Sequence, residues 1–586
     1  MSFKHRALYA YRALPPPDQR NWRDYLLFIP RYVVNFILRV LRVFGWRFIV
    51  FLCASQLCLK GCAYYLSLAV ALPLLKNVFG ISAYHFQLYM MITMLPWSIK
   101  PILGLLSDFF LIGGYHKRFW LFNALGVGAI GCGLLFLAYP LHSAIGIALC
   151  FMGVQYEVAL FDLMSEGAYS AAMRKHSYTG SDLVVVTQVF QHVGGIIAMC
   201  MIGPMADANL FYPLFIINAV MCCTPLIPSI FGWLPEEKYP YGIPHGSPDC
   251  CSKIGVHPVE HTLIEGQRWI IGVIAFTGLS APVAVIVSNA IDAGYGLVLA
   301  ILMMSASLMG AYFVFPRLVF NVALYQVVCL LGAPSIGGAM DYFYTSGEEC
   351  VPGGPHFSFK YYQTYAGLVG TVCALFGTIL YQILLSRMRF RYVFLLTAIL
   401  KALIGLSDLF IVTRTNIKWG ISDHVAYIIG EAVMEPVLSA LNYIPAMALL
   451  SRVSIEGMES STFAFLAGIN NFAAMISNMS GAFIFRAAGV KTELPCNFDS
   501  LWILILCCHC IGPMVTGVGF SWLIPATPQN SKLNADGTIS SPDDDEIKEI
   551  SLDDDDDEEK SPFSDDDENL LTHSPFSSMD CEMELL

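Results

Sequence analysis

The sequence predicts an all-α polytopic membrane protein: a bundle of about fourteen spanning helices read as six, two and six. Three observations predict it. Of 586 residues, 56% are hydrophobic and only 13% are charged, against roughly 25% charged in a soluble protein. Apolar runs of about 20 residues, the length that crosses the hydrocarbon core of a bilayer, recur along most of the chain. Basic residues gather in alternate short connections, as positive-inside bias asks of cytoplasmic loops.

The elements follow in order. Residues 1–47 hold nine Lys/Arg against Asp18 and Asp24. Their apolar stretches are broken by Pro30, Arg39 and Arg42, too interrupted for a cleavable signal. Val33, Phe36, Ile37, Val40, Leu41 and Phe44 share one helical face, which suits a helix lying in the headgroup layer. Six spans then fall at 48–72, 83–110, 119–139, 143–173, 182–205 and 210–233, forming an N-terminal half over 48–233. A polar, Pro-rich linker (234–267) is expected in the cytosol. Two extra spans, 269–291 and 294–315, occupy the 268–316 segment. The C-terminal half (317–525) carries 318–340, 361–386, 392–413, 424–450, 462–486 and 500–524. The clusters His116-Lys117-Arg118, Arg174-Lys175, Arg317, Arg387/Arg389/Arg391 and Arg452 all land on one side. Arg414 and Lys418 fall on the other and are the exception. Both termini are therefore expected in the cytosol.

Net charge −12 is concentrated at one end. Residues 535–586 contain 20 acids and two lysines, which leaves the rest of the chain mildly basic. That tail is expected to be disordered by composition, within a cytosolic segment 526–586. No basic run is interleaved with aromatics, which excludes a nucleic-acid partner. Most of the 18 cysteines lie within apolar runs, where a thiol packs as a small hydrophobe. There is no nucleotide-binding glycine loop, no metal-ligand spacing and no hydrolase triad, so neither a cofactor nor an enzyme activity is expected.

Two internal echoes divide the spans six plus six. The basic connection after the second span (GLLSDFFLIGGYHKRF, 104–119) has a counterpart in LSRMRFRYVF (385–394). The fourth span of each half carries two carboxylates one turn apart, Asp162/Glu166 and Glu431/Glu435. Two halves around a central site is the plan of major facilitator transporters. Gly104-Leu-Leu-Ser-Asp108 with Lys117-Arg118 resembles the gating loop of that superfamily, in which the aspartate caps a helix across the interface between halves. The longer string KPILGLLSDFF resembles the signature of the folate–biopterin transporter family. FDLMSEGAYSAAM (161–173), TGSDLVVV with GGIIAMCMIGPMADA (179–208), GLSDLFIVTRTNIKWGISDH (405–424) and EGMESSTFAFLAGINN (456–471) resemble its kinetoplastid members. The resemblance, over roughly 48–524, implies a major-facilitator-like 6+6 bundle that carries folate or biopterin with protons. Some related transporters are thought to carry S-adenosylmethionine instead, and a non-transporting sensor or scaffold is the alternative from another class.

Charges inside a span are costly and usually face a cavity or a partner. Those here are Lys60, Lys100, Glu157, Asp162, Glu166, Lys401, Asp408, Glu431 and Glu435, with Asp108 at a span end. A pterin offers adjacent N–H groups that suit a carboxylate, and the glutamate tail of folate suits a lysine. Asp162 or Glu166 is therefore expected to read the ring, and Lys60, Lys100 or Lys401 the anionic end. The competing expectation is that these residues form internal salt bridges. Asp108, Glu157, Asp408, Glu431 and Glu435 are candidates for proton coupling or gating. Pro436 should kink its helix and free a carbonyl. Gln188, Gln191, Asn470 and Asn471 occupy corresponding spans and either line the cavity or bond across helices; His192 reads more as a packing contact.

Cys350 and Cys496 lie in loops expected outside, where an oxidising environment favours a disulfide. Asp566 to Leu571 (DDENLL) fits an acidic dileucine sorting signal, with Asp566, Leu570 and Leu571 as contacts for adaptors. Ser551 and Ser564 precede acids and suit phosphorylation. Plasma membrane, with an endosomal or lysosomal pool, is the expected location, and membrane lipid the expected surround.

Overall fold

A computed structural model describes residues 34, 36–112, 115–175, 180–236, 256–258, 261–386, 388–452 and 459–529. All belong to the first of two compact units, Met1–Thr538. Residues 1–33, most of the linker, and the acidic tail with Asp566, Leu570 and Leu571 lie outside the described residues.

Fifteen helices make fourteen passes. In order they are α1 (Trp46–Val78), α2 (Ala83–Asp108) and α3 (Arg118–Ala138), then α4 (Ala144–Lys175) and α5 (Gly180–Asp207). Next come α6 (Phe211–Ile230), α7 (His261–Ala290), α8 (Ala293–Val314), α9 (Arg317–Leu331) and α10 (Gly337–Thr345). The set closes with α11 (Lys360–Leu380), α12 (Phe390–Val412), α13 (Asp423–Met447), α14 (Glu459–Ala487) and α15 (Leu501–Val518). Twelve of these are long and apolar enough to cross a membrane.

The other two passes are informative. α9 and α10 form one pass interrupted at residues 332–336, where the chain leaves helical geometry. α14 is too polar to qualify by hydropathy, yet Phe463, Phe465, Leu466, Ile469, Phe472 and Ile476 are all fully enclosed. A helix surrounded by protein need not satisfy lipid.

The halves meet chiefly through two helix pairs, α2 with α14 and α5 with α11, with α14 also touching α4 and α10 touching α2. Close approach is bought with small residues. A side chain at Gly468 of α14 would strike Pro101 of α2, and one at Gly203 of α5 would strike the Thr364 hydroxyl of α11. Small-residue stripes let membrane helices pack backbone to backbone. Across α5 and α11, Thr364 Oγ1 accepts from Gly203 N (3.0 Å) and donates to Met199 O (2.7 Å).

The extra pair α7 and α8 packs outside, on α2, α14 and α9. Trp269, Ile286, Leu302 and Phe313 on its surface are more than 60% exposed, a lipid-facing stripe. Before α1, a short helix over 36–44 turns at Gly45 (φ 78°). It buries Val40, while Ile37 stays half exposed. The departure from an all-helical chain is a two-stranded ribbon. β1 (Phe110–Ile112), straight after α2, pairs antiparallel with β2 (Val256–Pro258) from the linker. Glu236 accepts from Lys117 N (2.7 Å) and Arg118 N (3.2 Å), capping the start of α3.

Candidate functional site: a charged chamber between the halves

A chamber of about 700 Å³ lies between the halves, walled by α1, α2, α4 and α5 on one side and α9, α12, α13, α14 and α15 on the other. All nine residues expected to meet substrate line it: Lys60, Lys100, Asp162, Glu166, Gln188, Gln191, Lys401, Asn470 and Asn471. Glu435 lines it too. Nothing from residues 261–314 does.

Helix geometry explains the convergence. α4 runs as one unbroken 32-residue helix, so Asp162 and Glu166 project one above the other from a single face. Lys60 comes from an 11-residue π-helical stretch, Cys53–Ala63. A π-helical turn is wider than an α-helical one and recurs at functional sites. Lys100 opens the last segment of α2, just before Pro101.

In the N-terminal half the charges neutralise one another. Lys60 Nζ and Gln56 Nε2 donate to Asp162 Oδ1 at 2.8 and 3.2 Å. Lys100 Nζ donates to Asp162 Oδ2 at 2.8 Å and to Glu166 Oε2 at 3.2 Å. Neither oxygen of Asp162 is free, so ring reading by Asp162 requires a lysine to move. Trp97 supports the cluster. Its ring lies 4.5 Å from Lys100 Nζ, a cation–π contact. Its indole donates to Gln155 (2.9 Å), and Asn471 Nδ2 donates to its carbonyl (3.0 Å). Lys100, Asp162 and Glu166 are each no more than 2% exposed. Removing one partner of such a buried set typically costs about 3–5 kcal/mol, because it strands a charge.

The C-terminal half differs. Lys401 and Glu435 face the chamber and form no hydrogen bond or ion pair within 4.0 Å with any described residue. Behind them, Asp408 accepts from Tyr344 OH (3.1 Å) and pairs with His509 Nδ1 (2.7 Å). Glu431, from the same wall, faces the neighbouring chamber described below. Glu431 and His509 again sit on π-helical stretches, Ile428–Met434 and Leu506–Ile511. Pro436 cannot donate to the Ala432 carbonyl, and that oxygen faces Gly370 of α11.

Two expected residues lie apart from both groups. Glu157 projects towards α3, where Gly128 leaves room for its carboxyl and a side chain would collide with it. It is fully buried, has no hydrogen-bond partner for either oxygen among the described residues, and lines neither chamber. Asp108 lies at the interface on the face that also carries the ribbon. It accepts from Ser461 N (2.8 Å) and Ser461 Oγ (2.6 Å), capping α14 across the halves.

The opposite face is bridged as well. Lys76 Nζ donates to Thr345 Oγ1 (2.7 Å), Gln87 Nε2 to the Ser335 and Asn478 carbonyls, and Ala83 N to Thr492 Oγ1. Cys350 and Cys496 form a disulfide on this face. Asn478-Met-Ser480 matches a glycosylation sequon but lies within α14, inside a pass. His509, Tyr344 and Asp341 escaped sequence reasoning; the signal available for His509 was a single histidine inside an apolar run.

Comparison with known proteins agrees with this architecture. The profile of the BT1 family matches residues 60–543. The chain is 25% identical over 460 residues to probable folate-biopterin transporter 6 of Arabidopsis thaliana, covering 77% of each. It is 24% identical over 442 residues to the folate-biopterin transporter of Synechocystis sp., covering 74% of this chain and 73% of that one. These relatives are named as transporters, not enzymes. Among solved structures, the in meso crystal structure of the POT family transporter PepTSo superposes with a TM-score of 0.54 at 12% identity. It covers 81% of this chain and 97% of that one, a likeness of fold alone. On the extent of the family match, this multi-pass membrane protein belongs to the BT1 family.

Proposed function

We propose that the protein is a secondary active transporter that imports folate and related pteridines by proton symport, with the two halves alternately exposing the chamber. The observation that carries this reading is the chamber itself, which lies between the halves and holds three lysines and three carboxylates. The names of the relatives supply the substrate class. A bipolar solute with a hydrogen-bonding ring and an anionic tail suits walls of both signs.

Alternation requires the bridges on the two faces to break in turn. Asp108–Ser461 would release one face, and Lys76–Thr345 with its neighbours the other. Asp408, Glu431 and Glu435, with His509, are the groups we assign to carrying the proton; burial with no lysine in hydrogen-bond contact among the described residues suits carboxyls to that exchange. The reading places the protein in the plasma membrane with both termini cytosolic, and gives the DDENLL tail a trafficking role in surface amount and endosomal retrieval.

The test is uptake by purified protein in liposomes, acidic outside and neutral inside. Labelled folate should accumulate, the gradient should collapse with a protonophore, and excess biopterin should compete better than S-adenosylmethionine. Absence of uptake of either pteridine under that gradient refutes the reading.

A further inference from the structure

A second chamber, of about 550 Å³, adjoins the first on the disulfide-bearing face. Tyr65, His192, Ala374 and Pro436 line both, so the two form one passage with a waist. Their charges are opposite in kind. Among the described residues, the lining of the second chamber includes no lysine or arginine and two acids, Asp341 and Glu431.

Its floor is the broken pass. The chain unwinds over 332–336, and Ser335, Gly337 and Gly338 line the chamber beside Asp341 of α10. Interrupted helices of this kind expose main-chain polar groups to solute in transporters. Asp341 Oδ1 accepts from Tyr362 OH at 2.6 Å, which fixes the carboxyl, and Oδ2 has no partner among the described residues. Of the two lining acids, Asp341 is the one that such a bond orients among the described residues, with an oxygen to offer. In the first chamber, Lys60 and Lys100 are tied to Asp162 and Glu166, which leaves Lys401, without an ion pair among the described residues, as the lysine to meet an anion.

We propose that the passage is one bipolar binding site. A pteridine ring lies in the second chamber with its 2-amino and ring N–H groups donated to Asp341, and the glutamate tail of folate passes the waist to Lys401. A pteridine without a tail uses the Asp341 end alone. This deepens the pteridine reading above and rests on it. It also moves ring recognition from Asp162, whose oxygens are taken, to a residue on the opposite half.

The experiment compares labelled folate and labelled biopterin in liposomes with wild type, Asp341→Asn and Lys401→Met, each checked for unchanged thermal unfolding. Asn replaces an accepting oxygen with an amide that opposes the ring donors. A lost hydrogen bond to a charged group is a penalty of roughly tenfold or more. Asp341→Asn should raise KM for both compounds by that factor. Lys401→Met should raise it for folate and leave biopterin within about twofold, inside the scatter of substitutions that break no contact. Asp341→Glu keeps the charge and serves as the rescue when Asn folds poorly; it should retain measurable uptake of both. Equal loss of both compounds in Lys401→Met, or an unchanged biopterin KM in Asp341→Asn, overturns the two-ended site while leaving pteridine transport standing. Failure of wild type to carry either compound overturns both.

Discussion

The two halves handle intramembrane charge in opposite ways. In the N-terminal half, two lysines and two carboxylates are spent on one another, with every oxygen of Asp162 engaged. In the C-terminal half, tyrosine hydroxyls and one histidine hold Asp341 and Asp408, and Lys401 and Glu435 form no ion pair among the described residues. A closed ionic set is rigid: moving any member strands another in a low dielectric. An open set can take up a proton or an anion and give it back. The comparison assigns scaffold work to one wall of the passage and exchange to the other.

The largest expected effect tests the closed set. Asp162→Asn leaves Lys60 and Lys100 without their shared carboxylate, and should abolish uptake and lower thermal stability by an amount equivalent to about 3–5 kcal/mol. Adding Lys60→Met rebalances the charge and should recover much of the stability, read as the unfolding midpoint in detergent. Glu435→Gln should move that midpoint little, because no described partner depends on it. A Glu435→Gln loss as large as that of Asp162→Asn would erase the distinction between the halves.

Coupling comes next. Asp408→Asn and Glu431→Gln should each end accumulation driven by an acidic exterior while preserving exchange of labelled for unlabelled folate across liposomes at equal pH. Concentrative uptake persisting in both variants would remove the proton from the C-terminal half.

The smallest effect lies at the rim of that half. Glu348, in the loop before α11, accepts from Gly353 N (2.9 Å) and contacts His356 Nε2 (2.6 Å). The Gly353 amide, and then His356, hold its carboxyl below the usual glutamate range. A depressed carboxyl pKa means the contribution is present above the unfolded value and fades as pH falls through the folded one. Hydrogen exchange at the Gly353 amide, corrected for its intrinsic rate, should therefore accelerate under acid conditions with no matching change at Asp108 and Ser461. Unchanged protection in acid would show that the Glu348 contact is idle.

Much of this was legible in the sequence because lipid imposes a crude, strong rule: long apolar runs and sidedness of lysine and arginine sufficed for the passes. The nine chamber residues were legible for the same reason, since a charge or amide inside an apolar run is conspicuous. Partner choice was not. Nothing local says that Asp162 rather than Glu166 takes two lysines; the tertiary approach of α1 and α2 decides it. Glu157 looked equivalent to its neighbours, yet at 100° per residue it points about 140° away from Asp162 and about 180° from Glu166. A helical wheel would have separated it. Asp341 was missed because it follows the break at 332–336 near the end of a pass, where an acid reads as a loop residue. α14 shows the converse: its polar residues suggest a weak span, while its position between the halves exempts it from meeting lipid.

The disulfide has one more consequence. Cys350 follows α10 and Cys496 precedes α15, so both sulfurs belong to the same half. A covalent tie across the halves would freeze any rocking motion in an oxidising medium. This one instead fuses two rim loops into a single plate, 146 residues apart in sequence, that can swing as a unit against its neighbour. Oxidation can thus harden the lip of the passage without locking its hinge.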